Sequence, residues 1–141
     1  MKASTERYTI DANFILRYIL RDVEEHYQKA VAIMDALWDG RISVYCDPVT
    51  LSEVVWVLKS FYSIPADVIR DTLKPILTCE GFVLPEKQSY LRALDMFAAS
   101  ISHFGDACAC ADALEKSKGK LLSFDRKLSN VPDIIRVEDL G

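Results

Sequence analysis

Short apolar runs and longer amphipathic stretches alternate along the chain, and this alternation predicts its elements. Arg7 to Ile10 reads as a short strand, followed by a helix from Ala12 to Leu20 that Asp11 or Asn13 can cap with a side-chain oxygen. Val23 to Trp38 carries Tyr27, Ala30, Val31, Met34, Leu37 and Trp38 on one helical face, and Asp39-Gly40 stops it. Ile42 to Cys46 is the next strand, and Asp47-Pro48 starts a helix from about Val49 to Phe61. That helix is apolar on more than one side, because Trp56, Val57 and Phe61 widen the stripe made by Leu51, Val54, Val55 and Leu58. Ile64-Pro65 interrupts the chain before a helix from Ala66 to Thr78, which Pro75 is expected to shorten or kink. Gly81 to Leu84 reads as a strand and Lys87 to Ser100 as a helix. Phe104-Gly105-Asp106 leads into a helix ending at Glu115, Gly119 closes that region, and Lys120 to Ser123 is a strand. Asp125 to Leu128 forms a turn or short helix before a last strand, Ile134 to Val137.

Strands alternating with helices indicate a parallel sheet flanked by helices, an α/β class. With 141 residues and no internal repeat, low-complexity tract or linker, the chain is expected to form a single domain over residues 1–141. In such sheets ligands bind beyond the C-terminal ends of the strands.

Four acids interrupt apolar stretches where a carboxylate is costly: Asp11, Glu53, Asp106 and Asp125. Asp11 and Asp125 follow strands; Glu53 and Asp106 lie near the starts of helices. Taken singly, each has a local explanation: Asp11 and Asp125 as caps, Asp106 as a complement to a helix dipole, Glu53 as a solvated helix position. Capping does not require all four to meet at one sheet edge, and a shared site for a hard divalent cation bound through oxygens accounts for them together. Asn13 and Ser123 stand close to Asp11 and Asp125 and can orient a carboxylate or a water, or simply make local hydrogen bonds. Asp112, six residues beyond Asp106, is expected to face elsewhere.

Composition narrows the classes. The net charge of −4 argues against a broad nucleic-acid-binding surface, while leaving room for a nuclease whose clustered acids are offset by metal. No apolar stretch is long enough to cross a membrane, and the opening Met1 to Arg7 lacks the apolar region of a secretory leader, so a cytoplasmic protein is expected. Cys46, Cys79, Cys108 and Cys110 are then reduced thiols. Cys108 and Cys110 diverge on their helix, and with only His26 and His103 to help, zinc is not expected. Neither a phosphate-binding Gly-rich loop nor a dinucleotide fingerprint is present, so nucleotide cofactors are not expected.

Thr9-Ile10-Asp11-Ala12-Asn13 resembles the opening motif of PIN-domain nucleases. Leu51 to Leu58, with Glu53, is similar to their glutamate helix, Phe104-Gly105-Asp106-Ala107 to their third acidic motif, and Leu122-Ser123-Phe124-Asp125 to their last. The order is right and nearly the whole chain is covered, with VapC-type toxins of toxin–antitoxin pairs the nearest in kind. The resemblance implies a PIN-like three-layer fold with a central, mostly parallel sheet of four to five strands between helices. It implies a Mg²⁺- or Mn²⁺-dependent endoribonuclease, an RNA substrate and a cognate antitoxin. Arg126-Lys127 stands where some members carry a further acid.

On this reading Asp11, Glu53, Asp106 and Asp125 are the catalytic and metal-ligating residues. Asp11 and Asp106 are direct ligands, Asp125 binds through water or a second ion, and Glu53 ligates or accepts a proton. Asn13 and Ser123 support them, and Lys59, Arg126 and Lys127 are candidates for RNA phosphate contacts. The extra apolar surface of Val49 to Phe61 points to a homodimer, unless the helix after Pro65 covers it. Two alternatives stay open: a non-catalytic PIN-fold interaction module, and an aspartate-nucleophile phosphohydrolase. The second lacks its usual acid–base aspartate, because the chain reads Asp11-Ala12-Asn13.

Overall fold

The computed structural model describes residues 5–141; Met1 to Ser4, the first part of the stretch read above for a leader, lie outside the described residues. The chain divides into two compact units, Met1–Lys87 and Gln88–Gly141.

The N-terminal unit runs β1 (Glu6–Thr9), α1 (Ala12–Leu20), α2 (Glu24–Trp38), β2 (Ile42–Tyr45), α3 (Pro48–Trp56), α4 (Ala66–Thr78) and β3 (Phe82–Val83). Its three strands are parallel in the order β1-β2-β3, with Tyr8 opposite Val44 and Val44 opposite Phe82. Local chemistry sets the helix ends. Asp11 caps α1, and Asp47 with Pro48 opens α3. Gly40, at φ 74°, terminates α2, where Arg41 N–H donates to Ala36 C=O in a Schellman closure. Val44, Leu51, Val54, Val55, Ile69, Leu73 and Phe82 are among its fully buried core. Pro75 neither ends nor shortens α4, which continues to Thr78; Thr78 Oγ1 donates to the Lys74 carbonyl at 2.8 Å as the helix closes. β3 is shorter than expected because only Val44 and Tyr45 of β2 pair with it.

α3 does not stop at Trp56. It widens into a π turn over Val57–Phe61, with Tyr62 N–H reaching the Val57 carbonyl five residues back. Trp56 and Phe61 are 63% and 76% exposed, so α4 leaves these two aromatic residues uncovered.

The C-terminal unit contains α5 (Lys87–Ala99, which begins on the last residue of the first unit), α6 (Phe104–Lys116), β4 (Lys120–Leu122), a 3₁₀ segment (Arg126–Asn130) and β5 (Ile135–Val137). β4 and β5 are parallel, with Leu121 opposite Arg136. The core joins Leu94 and Phe97 of α5 to Phe104, Ala107, Cys110 and Ala111 of α6, and the Phe97 and Phe104 rings meet edge-on at 5.7 Å. Asp112 accepts a hydrogen bond from buried Ser89 of α5 at 2.9 Å.

The α/β class and the parallel direction of the strands are as expected. Among the described residues, hydrogen bonding gives a parallel ladder of three strands in the N-terminal unit and a parallel ladder of two in the C-terminal unit. No helix among the described residues is long and apolar enough to cross a membrane.

Candidate functional site

In the N-terminal unit, Asp11 follows the C-terminal end of β1, where a ligand of a parallel sheet is expected. Its Oδ1 accepts the Phe14 N–H at 2.8 Å, so the capping role is realised with one oxygen of a two-oxygen group. Asn13, on the first turn of α1, is exposed and shares a cleft with Asp11. Glu53 is exposed on α3, although its neighbours Val54 and Val55 are fully buried. Lys59 is exposed in the π turn. Asp47 was not singled out by its sequence. It ends β2 as Asp11 ends β1, and its Oδ1 accepts the Val49 N–H at 2.8 Å. The Asp-Pro pair that signals a helix start also places a carboxylate at that strand end.

In the C-terminal unit, Asp106 and Asp125 line one cavity of about 270 Å³, together with His103, Lys127 and Asn130. Asp106 stands in the first turn of α6 and Asp125 caps the 3₁₀ segment, its Oδ1 accepting the Lys127 N–H at 3.0 Å. Ser123 Oγ accepts the Asp125 N–H at 3.0 Å, which fixes the turn that presents the carboxylate. Arg136 of β5 holds the same turn from the other side, donating from Nη1 to the Ser123 carbonyl at 2.9 Å and from Nε to Ser129 Oγ at 2.8 Å. Sequence reasoning missed His103 and Arg136. His103 directly precedes α6, a signal that was readable, whereas the role of Arg136 depends on strand pairing that no local pattern gives. Lys127 reaches the cavity of the two acids, and Arg126 is exposed beside it.

The donors gathered here are hard. Two carboxylates lining one cavity suit Mg²⁺ or Mn²⁺, which prefer oxygen ligands. They are a partial set: among the described residues, no three acidic, histidine or cysteine side chains of one unit cluster closely enough to hold a metal ion. The thiols are not soft ligands in waiting. Burial, with Asp112 adding to it, pushes Cys108 up to about 12, and burial with Asp47 pushes Cys46 up to about 11. Burial also raises Cys110, so all three are protonated at neutral pH.

Comparison with protein-family models finds the PIN domain over residues 8–134, a span that includes all four acids and most of each unit. Curated proteins yield no match. The chain belongs to the PIN domain family, whose members are in general metal-dependent nucleases acting on nucleic acid.

Proposed function

We propose that this protein is a Mg²⁺- or Mn²⁺-dependent endoribonuclease and the toxin of a type II toxin–antitoxin pair. The observation that carries the reading is the presentation of Asp106, Asp125 and Lys127 on one cavity of a PIN domain. The ion's ligands would be Asp11, Glu53, Asp106 and Asp125. When bound, it offsets phosphate charge and makes water a better nucleophile. The chain's own residues do the rest. Ser123 and Arg136 hold the Asp125 turn, Lys127 supplies positive charge for the RNA backbone, and Glu53 either ligates the ion or accepts a proton from the attacking water. Asn13 orients the substrate beside Asp11, with Lys59 and Arg126 as outlying phosphate contacts. The chain is expected to cut a circular single-stranded RNA, which has no ends, only when Mg²⁺ or Mn²⁺ is present, and to lose that activity in EDTA. Cleavage of linear RNA alone would remove the endonuclease reading, and cleavage in EDTA would remove the metal.

A cytoplasmic toxin needs a cognate inhibitor. An antitoxin arginine, whose planar fork matches carboxylates, would compete with the metal for the acids. Homodimerisation is supported by the exposure of Trp56 and Phe61. Light scattering at high micromolar concentration is expected to give twice the chain mass of 15.9 kDa, and Trp56→Glu to return it to one. A native monomer under those conditions would rule out the dimer.

A further inference from the structure

We infer that the cleft between α1 and α2 is a phosphate subsite, holding an RNA backbone phosphate next to the bond that is cut. This rests on the ribonuclease reading above. Asn13 and Arg17, four apart on α1, face His26 and Lys29, three apart on α2, across a cleft of about 230 Å³. Asp11 and Phe14 complete the lining.

Arg17 is the anchor. Its Nη1 is paired with Asp22 at 2.6 Å, whereas Nε is buried and without a hydrogen-bond partner. A buried donor left unpaired is costly and calls for an explanation, and a phosphate in the cleft that draws Nε into a hydrogen bond provides one. The planar guanidinium suits a phosphate, which accepts hydrogen bonds from it. Lys29 adds a second positive charge. Its partner Glu25 lies at 3.3 Å with both side chains at least 70% exposed, a pair weak enough to be exchanged for phosphate. The Asn13 amide adds a neutral donor that suits phosphate and sugar oxygens. Asp11 carries the one carboxylate in this lining, and it is also a proposed metal ligand, so the phosphate held here neighbours the scissile one.

The test measures binding of a short fluorescent single-stranded RNA in EDTA across a range of salt, together with kcat and KM in Mg²⁺. Lys29→Gln is expected to lower the slope of log affinity against log salt by about 0.7, the value for one single-strand phosphate contact. Arg17→Gln is expected to weaken binding roughly tenfold or more, and both variants to raise KM with kcat little changed. Arg41→Gln is the control, since it removes equal charge at an exposed position on the turn after α2, outside the cleft. Because Arg17 is partly buried, its variant counts only if it melts as the native chain does; Lys29, on the surface, decides the matter otherwise. If both cleft variants match the control while native protein binds and cuts RNA, the subsite is wrong and the nuclease reading stands. If native protein neither binds nor cuts RNA, both are overturned. Inorganic phosphate that protects RNA cleavage equally in native and Lys29→Gln protein would also overturn the subsite.

Discussion

Asp106→Asn is expected to lower RNA cleavage about a thousandfold or more, equivalent to about 4 kcal/mol of transition-state stabilisation. The substitution keeps size and shape and removes the charge that would face a divalent ion. It should leave the fold intact. Asp106 is half-buried in the first turn of α6, and no side chain caps that helix, so no cap is lost. The lost attraction to the helix dipole, a few tenths of a kcal/mol, is opposed by relief of repulsion from Asp125 on the same cavity. Without metal the melting temperature should therefore be unchanged or higher. With Mg²⁺ the native chain should gain more than the variant, because ligand binding to the folded state stabilises it. Full activity in the variant would take Asp106 out of the ligand set, and equal Mg²⁺ responses would show that it does not contribute to metal binding.

Gly119→Ala should be the most disruptive small substitution in the C-terminal unit, costing about 3 kcal/mol or more of stability. Gly119 has φ 83°, and a Cβ there would lie 2.1 Å from the Asp133 carbonyl oxygen. The backbone must move, and Gly119 C=O also accepts the Ile135 N–H at 2.7 Å where β4 and β5 begin to pair. Since β4 leads to Ser123 and Asp125, the same shift should impair catalysis. Gly105→Ala is the contrast: it lies in α6 with nothing near the added Cβ, and is expected to be neutral or to stabilise by up to about 1 kcal/mol. Denaturation midpoints for the two variants test this, and an unchanged midpoint for Gly119→Ala would show that the Asp133 carbonyl yields easily.

Features written in consecutive residues are legible in the sequence. α1 and α4 begin and end where the sequence placed them, because Asp11 caps one and Pro65 precedes the other. The pairing of Asp106 with Asp125 is partly legible, since each sits at a helix or strand end whose direction is fixed by an α/β alternation. Features that depend on distant partners were hidden. The two-residue length of β3 is set by β2, and the division into two ladders is a matter of pairing rather than pattern. The α1–α2 cleft was invisible for the same reason: Arg17 and Lys29 each read as an ordinary surface cation until two helices face each other across a gap. Pro75 does not shorten α4, because a proline removes one donor but buried Ile76 and Leu77 keep the last turn in place.

The π turn after α3 sets the angular phase of the aromatic residues around it. In an unbroken α-helix, residues five apart such as Trp56 and Phe61 would point about 140° apart. A π turn advances less per residue, so the two side chains are swung toward a common side. The wider turn behaves as a one-residue insertion that the helix has absorbed. Deleting Lys59 or Ser60 would restore ordinary winding, leave the buried stripe of Leu51, Val54 and Val55 untouched, and set Phe61 four residues after Trp56, about 40° from it and still on the same side. The outward face of this segment can thus keep its aim through a one-residue change in length, without altering the composition of the core behind it.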